Sequence, residues 1–275
     1  MKIAYQGRIG AYSYIASKNI FPKAEYIDFD TFEEAMNAVK TKKVDYAVIP
    51  VENSNAGRVA DVHFLLPEIK VYITGEYFLK IEHQLWGLKN AELKDIEQAY
   101  SHPQALSQCS EFLKKQKIQP IPRIDTAKSC EEIIELEDVS LACIASKEAG
   151  KINNLKLLSE NIHNANNNTT RFLVMACKKD IPEYKQDEKY VTSFVFKLKN
   201  IPSALYKALG GFATNGVNIT KIESYLIDGH FVSAQFYIEV MAHYDNKSLK
   251  NALEELNFFS EELLFLGCYK ASENR

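Results

Sequence analysis

The sequence predicts an α/β protein with two lobes and a C-terminal βαββαβ unit. Strand-like and helical segments alternate through the first half, an order that gives a parallel sheet covered by helices. The same alternation resumes after a long β-rich stretch at 71–87, which we interpret as extended chain crossing between two lobes. A charged segment without apolar periodicity, 179–189, separates this region from the last unit and is predicted to be a linker.

Composition is that of an ordinary globular chain, with 275 residues, 46% hydrophobic and 25% charged. The net charge of −3 gives no indication of a nucleic-acid or membrane surface, and no apolar run is long enough to cross a bilayer. The chain opens on a strand pattern, so no signal peptide is expected. Five cysteines without C-x-x-C spacing indicate buried thiols in a reduced, cytoplasmic protein and give no sign of a metal site.

The first lobe begins with a strand, a glycine-containing turn and a helix from about Ala11. Thr31 opens the second helix, and Glu34 three residues later completes a capping box. The strands of this lobe are predicted at 2–6, 25–29 and 45–50.

The second lobe continues with a helical pattern across 101–115, in which Pro103 suits the first helical position. A short strand at 118–124 and a helix at 125–136 follow, and a buried strand is predicted at 140–146. A cleft between two such lobes is a common place for a small-molecule site.

The last unit reads strand, helix, strand, strand, helix, strand, which is the ferredoxin-like order. Its elements are predicted at 191–198, 203–215, 217–227, 230–240, 246–256 and 262–269.

Two glycines, Gly7 and Gly10, lie between the first strand and the first helix. They let the backbone approach an anion at the helix N-terminus, but a tight βα turn explains them equally simply. Their spacing is not G-x-G-x-x-G, so no dinucleotide is indicated.

Three polar residues, Glu52, Asn53 and Ser54, follow the third strand. Ligands of open α/β sheets bind outside the carboxyl ends of strands, and these side chains supply both donors and acceptors. An Asx-type turn that caps the next helix is the alternative, and the two interpretations are compatible.

The stretch "SHPQAL" places Ser101, His102 and Gln104 at the start of a helix. Gln104 can donate to a bound oxyanion. His102 is a candidate general base, although a helix cap is the simpler interpretation. Cys109 lies on the apolar side of this helix and is predicted to pack.

Arginine is rare: only five of the 33 basic residues are arginine, and Arg171 is one of them. The planar guanidinium recognises a carboxylate through two hydrogen bonds, so this choice over lysine indicates a carboxylate ligand. A simple ion pair with a neighbouring acid is the alternative. From the residues alone, the chain is a two-lobe protein that binds a small anion, either as an enzyme or as a sensor.

Five segments in this order resemble the prephenate dehydratases: "GRIGAYS", "IPVENSNAG", "SHPQALSQC", "DTA" and "NTTRFLV". The C-terminal "NIPSALYKAL" and "GVNITKIES" resemble the ACT module that accompanies those enzymes. The resemblance implies a periplasmic-binding-protein-like catalytic domain at 1–178, with the site in its cleft, a linker at 179–189 and a regulatory ACT domain at 190–275. It also implies conversion of prephenate to phenylpyruvate, water and carbon dioxide, without a metal or cofactor.

The same resemblance implies the roles of individual residues. Thr170 would hydrogen-bond the departing hydroxyl, because its own pKa is too high for simple acid catalysis. Glu52, Asn53 and Gln104 would complete the catalytic set. Residues expected to bind substrate are Arg171, Phe172, Ser54, Ser101, His102 and Ser13.

The ACT segments imply a phenylalanine effector and a homodimer or dimer of dimers. Effector contacts would fall on Ser203, Ala204, Leu205, Asn218, Ile219 and Glu223. Two departures from the family pattern, serine for glycine at 203 and Tyr225-Leu226 for Arg-Pro, predict weakened phenylalanine inhibition or another effector. An arogenate dehydratase and a non-catalytic amino-acid sensor of the same fold remain the alternatives.

Overall fold

The computed structural model describes residues 1–165, 167–227 and 230–275, with the side chains of 227 and 230–234 excepted. The strands, in chain order, are β1 (Lys2–Gln6), β2 (Glu25–Phe29), β3 (Tyr46–Asn53), β4 (Gly57–Arg58), β5 (Tyr72–Lys80), β6 (Gln84–Gly87), β7 (Gln98–Ser101), β8 (Gln119–Pro122), β9 (Leu141–Ala145), β10 (Lys156–Ser159), β11 (Thr169–Ala176), β12 (Tyr190–Leu198), β13 (Ile219–Ile227), β14 (His230–Val240) and β15 (Ser260–Lys270). The α-helices are α1 (Tyr12–Ile20), α2 (Phe32–Lys40), α3 (Ala60–Ile69), α4 (Pro103–Gln108), α5 (Ser110–Gln116), α6 (Lys128–Leu136), α7 (Lys147–Ile152), α8 (Ala204–Thr214) and α9 (Lys247–Phe259).

Three sheets organise these strands. The first has the order β2-β1-β3-β11-β5, with β4 paired to the end of β3. The second has the order β10-β6-β9-β7-β8, and the third has the order β13-β14-β12-β15. The predicted α/β class, with two α/β lobes and a C-terminal ferredoxin-like sheet, is confirmed.

The first sheet follows from local signals that the sequence carries. Strands β1 and β2 pair in parallel, as the βαβ order requires. Helix α2 begins with the predicted capping box: Glu34 N donates to Thr31 Oγ1 (3.1 Å), and Thr31 N donates to Glu34 Oε2 (3.3 Å). The apolar side of α2 is buried at Ala35, Met36 and Val39.

The second sheet mixes parallel and antiparallel pairs: β7 runs parallel to β8 and β9, whereas β6 runs antiparallel to β9 and β10. The stretch 71–87 forms β5 in the first sheet and β6 in the second, in agreement with its interpretation as crossing chain. The prediction of a single helix across 101–115 was wrong. It divides at Cys109, whose φ of −113° and ψ of 12° end α4 before α5 begins.

The third sheet is antiparallel in its described pairs, with β12 between β14 and β15. Helices α8 and α9 supply Ala208, Phe212 and Leu249 to a buried core that also contains Phe194 and Phe196 of β12. The intervening segment 177–189 contains no helix or strand.

The chain divides into two compact units. The first comprises Met1–Ala35, Val48–Val59 and Phe78–Phe172, and the second comprises Met36–Ala47, Ala60–Tyr77 and Leu173–Arg275. The whole second sheet lies in the first unit, and the whole third sheet lies in the second. Across the described residues, no helix combines the length and the apolar character needed to cross a membrane.

Candidate active site

A cavity of about 460 Å³ lies within the first unit, a volume typical of small-molecule sites. Loops that follow the carboxyl ends of β1, β3, β7, β8 and β9 form its wall, together with the start of β11. Its polar lining residues are Gln6, Tyr12, Ser13, Asn53, Arg58, His83, His102, Gln104, Gln108, Asp125, Thr126, Ser146 and Thr170.

Most of the predicted site residues meet at this cavity, but not all of them do. Those that line it are Thr170, Asn53, Gln104, Phe172, His102 and Ser13. Those that do not line it are Glu52, Arg171, Ser54 and Ser101.

Thr170 and Asn53 form a direct contact on the cavity wall. Asn53 Nδ2 donates to Thr170 Oγ1 (2.9 Å) and to Asn168 Oδ1 (2.7 Å). Asn53 Oδ1 accepts from the backbone N–H groups of Asn55 and Ala56, at 3.0 Å each. The Asx-type turn is therefore present, but it caps no helix, because β4 follows it and α3 begins only at Ala60. The same side chain also lines the cavity. Since β3 runs to Asn53, the strand ends three residues later than predicted.

Glu52 and Arg171 lie on the other side of the two strands from Asn53 and Thr170, as the alternation of side chains along a strand dictates. Arg171 Nη1 is 3.8 Å from Glu52 Oε2, and its guanidinium lies 5.9 Å from the centre of the Phe78 ring. Arg171 is 5% exposed. Its observed carboxylate contact is thus with the chain itself, the alternative that the sequence left open.

The predicted serines have different surroundings. Ser101 is fully buried and its Oγ donates to the carbonyl of Ile144 (2.7 Å), so it joins β7 to β9. Ser54 Oγ donates to the carbonyl of Asn167 (2.8 Å) and accepts from Thr169 N (3.0 Å). These two serines therefore hydrogen-bond to the backbone of segments that form the wall, and their side chains do not line the cavity.

The start of α4 places two side chains on the cavity. His102 is the N-cap residue, and its Nδ1 accepts from the backbone N–H of Gln104 (3.2 Å). Helix capping, the simpler interpretation, accounts for the observed contact of that nitrogen. Cys109 is fully buried, and burial raises the pKa of its thiol to about 12, which agrees with a packing role.

Sequence reasoning missed several lining residues. Gln108 lies one helical turn after Gln104 and lines the same cavity. Its Oε1 accepts from Asn168 Nδ2 (2.9 Å) and lies 2.8 Å from His83 Nε2. The i, i+4 spacing of the two glutamines was the available signal for Gln108. No local pattern marks Asn168 or His83, whose partners are distant in sequence.

The electrostatics of the wall are simple. Arg58 is the only lysine or arginine among the described lining residues, and Asp125 is the only carboxylate. His83 is 2% exposed, and burial lowers the pKa of its imidazole to about 4. The ring is therefore neutral at physiological pH.

The glycine turn after β1 packs against protein, as the tight-turn interpretation expects. Gly7 and Gly10 have φ values of 102° and 92°. A Cβ added to Gly10 would lie 2.6 Å from Ala149 Cα, and Ser146 Oγ donates to the Gly10 carbonyl (2.6 Å). Only glycine fits this close approach without displacing backbone.

The described residues contain no group of three His, Cys, Asp or Glu side chains placed to hold a metal ion.

The predicted effector residues lie in the second unit. Ser203 precedes α8 in a left-handed conformation with φ 59°, and its side chain makes no capping hydrogen bond. Ala204 and Leu205 begin α8, Ile219 begins β13, and Glu223 on that strand lies 3.3 Å from Lys221 Nζ. The carbonyl of Asn218 accepts from Met241 N (2.9 Å).

Comparisons with known proteins agree with the resemblance seen in the sequence. The family model for prephenate dehydratase matches residues 3–180. A bifunctional N-acyl-homoserine lactone acylase/prephenate dehydratase of Komagataeibacter europaeus is 38% identical over 99% of this chain and 97% of its own length. The arogenate dehydratase/prephenate dehydratase 1 of Arabidopsis thaliana, a chloroplastic protein, is 36% identical over 98% of this chain and 72% of its own length.

A solved structure extends the similarity to the whole fold. The prephenate dehydratase of Arthrobacter aurescens, crystallised in complex with L-Phe, is 25% identical and superimposes with a TM-score of 0.92. The match covers 100% of this chain and 92% of the other. Together with the family match and the relatives above, this places the protein: the chain is an enzyme that belongs to the prephenate dehydratase family.

Proposed function

We propose that this chain converts prephenate to phenylpyruvate, water and carbon dioxide. The observation that carries the proposal is the Thr170 hydroxyl on the cavity wall, whose oxygen accepts from Asn53 Nδ2 at 2.9 Å. With that contact made, the hydroxyl proton is left to donate towards the cavity. A preorganised donor of this kind lowers the barrier where charge develops on a departing oxygen.

The reaction needs little more than placement of the substrate. The ring hydroxyl takes a proton from solvent and leaves as water, and Thr170 hydrogen-bonds the departing oxygen. The ring carboxylate leaves as carbon dioxide, and its bonding electron pair completes the aromatic ring. Arg58 is the cationic lining residue and is the candidate partner of the second substrate carboxylate. Gln104 and Gln108 offer amide donors along the same wall.

Arogenate is the rival substrate, because relatives of this chain carry both activities in their names. Arogenate has an ammonium group where prephenate has a ketone. Asp125, the carboxylate of the described lining, is the group that would meet an ammonium. Its Oδ1 accepts from Lys128 N (2.8 Å), so its position is fixed by the start of α6.

One assay tests the activity and separates the substrates. The purified chain is incubated with prephenate, and phenylpyruvate is followed by its absorbance in base. In parallel, arogenate is supplied and phenylalanine is measured. We expect kcat/KM for prephenate to exceed that for arogenate by at least about tenfold. No turnover of either substrate would contradict the proposal. A preference for arogenate would show that the chain acts as an arogenate dehydratase instead.

We further infer that the region 190–275 is an ACT domain that mediates a homodimer and binds an amino-acid effector. A related enzyme was crystallised with L-Phe, which supports phenylalanine as the first ligand to test. Ser203 replaces the glycine of the family motif and brings a side chain to a backbone position with φ 59°. We expect weaker phenylalanine binding than a glycine at 203 would allow, and titration calorimetry of the wild type against Ser203→Gly measures the difference.

A further inference from the structure

We propose that His83 is a positioning residue of this site, which supports the far end of a series of three hydrogen-bonded side-chain amides that holds the Thr170 hydroxyl in its orientation. The hydrogen bonds run from His83 to Gln108, then to Asn168, Asn53 and finally Thr170. The inference rests on the proposed function, since it assigns a purpose to the orientation of the hydroxyl that assists departure of water.

The chain of hydrogen bonds has a fixed end at Asn53. Two backbone N–H groups, those of Asn55 and Ala56, point at Asn53 Oδ1 from 3.0 Å. If the amide were reversed, its NH₂ group would face both donors and two hydrogen bonds would be lost. The backbone therefore fixes which end of this amide faces Thr170 and Asn168.

That orientation passes along the next two amides. Since Asn53 presents its NH₂ group, Asn168 has to present Oδ1 to it, at 2.7 Å. Asn168 then turns Nδ2 towards Gln108, which has to present Oε1, at 2.9 Å. Asn168 is 1% exposed, so water offers little competition for these contacts.

The last amide determines the tautomer of His83. Gln108 Oε1 can only accept, and His83 Nε2 lies 2.8 Å away, so the proton of the neutral ring has to be on Nε2. His83 Nδ1 then accepts, and Tyr12 Oη lies 3.0 Å from it. The tyrosine hydroxyl also lies 2.7 Å from the carbonyl of Glu82, so its single proton is shared between two acceptors. The low pKa of His83 keeps the ring neutral and this tautomer available.

The consequence appears at Thr170. Its oxygen is held as an acceptor by Asn53, so its proton is directed away from the amides and into the cavity. If the donor at His83 is lost, Gln108 loses one of its two contacts and the amide series loses its support at that end. The hydroxyl then samples orientations that do not meet the departing oxygen. Both nitrogens of His83 are engaged within the protein, so we expect its loss to lower kcat and to leave KM almost unchanged.

Two substitutions of similar size distinguish the hydrogen-bond donor at Nε2 from the imidazole ring as a whole. In His83→Gln the side-chain amide reaches the place of Nε2 and can still donate to Gln108. In His83→Asn the amide reaches only the place of Nδ1. We expect His83→Gln to keep kcat within about threefold of the wild type and His83→Asn to lower kcat by about 30-fold, the cost of a misplaced catalytic group. KM for prephenate should change by less than about threefold in both.

The outcomes are distinguishable from failure of the proposed function. If the wild type turns over neither prephenate nor arogenate, the proposed function fails. If the wild type is active and both variants match it, or both lose activity equally, His83 does not act through its donor and the positioning proposal is overturned.

A spectroscopic measurement tests the arrangement without any turnover. In the full chain labelled with ¹⁵N-histidine, the resonances of His83 are assigned by their loss in His83→Gln. We expect Nε2 to be protonated and Nδ1 to be unprotonated at neutral pH. A proton on Nδ1 would reverse the required donor direction and overturn the proposal.

Discussion

Arg171 Nη1 lies 3.8 Å from Glu52 Oε2, and neither side chain lines the cavity, although both flank residues that do. The arginine of the T-R-F sequence is therefore a structural partner of the strand that carries Asn53. The cation that lines the cavity is Arg58, which we propose as the residue that recognises a substrate carboxylate there.

A matched pair of substitutions tests this assignment. We expect Arg58→Gln to raise KM for prephenate at least about tenfold, because a charge-assisted hydrogen bond contributes about 1.5–3 kcal/mol. Arg171→Gln should alter KM less and should lower the free energy of unfolding, because its guanidinium is buried. Steady-state kinetics and urea denaturation of both variants provide the comparison. A larger rise in KM for Arg171→Gln than for Arg58→Gln would indicate that Arg171 binds the substrate carboxylate.

The hydroxyl of Thr170 is expected to dominate the chemical step. Thr170→Val should lower kcat by at least about 100-fold with the fold intact, as for the loss of one preorganised donor. Thr170→Ser keeps a hydroxyl within reach of Asn53 and should retain kcat within about tenfold. Turnover assays and far-UV circular dichroism of both variants test this, and near-normal turnover of the valine variant would remove Thr170 from the mechanism.

Replacing Ser203 by glycine is expected to stabilise the folded protein. Its φ of 59° is costly for a residue with a Cβ, and its side chain makes no capping hydrogen bond that would offset the cost. We expect Ser203→Gly to raise the free energy of unfolding by about 0.5–1 kcal/mol. Ser203→Ala should leave it within about 0.5 kcal/mol, because the strained backbone remains. Thermal and urea unfolding of the three proteins provide the measurement.

Burial of His83 predicts a pH-dependent stability. The pKa of the imidazole is about 4 in the folded protein and 6.5 when unperturbed, so between these values the unfolded chain binds the extra proton. Its contribution is complete above pH 6.5 and is lost as the pH falls towards 4, by up to about 3 kcal/mol. Wild type minus His83→Gln isolates this component in urea titrations at several pH values, since neighbouring His163 and Glu82 remain in both. A difference that is flat across the window would contradict the low pKa.

The sequence predicted elements with a strong local signal. The capping box of Thr31 and Glu34 forms as expected, because both partners lie within one helical turn. The C-terminal order of strands and helices was also correct. Helix α7, which has only six residues, was not anticipated, and α3, which contains Pro67, was expected only as a helix without bounds after Ser54.

The site was harder to predict because its contacts are distant in sequence. Side chains alternate along β3 and β11, so Glu52 and Arg171 lie on the opposite side from Asn53 and Thr170. Because the predicted end of β3 was three residues too early, the alternation of Glu52 and Asn53 could not be predicted. Asn168 and His83 have no local pattern at all. Their contacts join segments that are brought together only when the sheets form.

The contact between Gly10 and Ala149 leaves no room for a methyl group beside the cavity. The distance between the turn after β1 and helix α7 is consequently set there by backbone atoms, and no smaller side chain can widen it. At this position, room for a bulkier molecule would need a change of the backbone itself, by insertion or deletion. We therefore expect relatives with a wider cavity here to differ in loop length and not by a point change at Gly10.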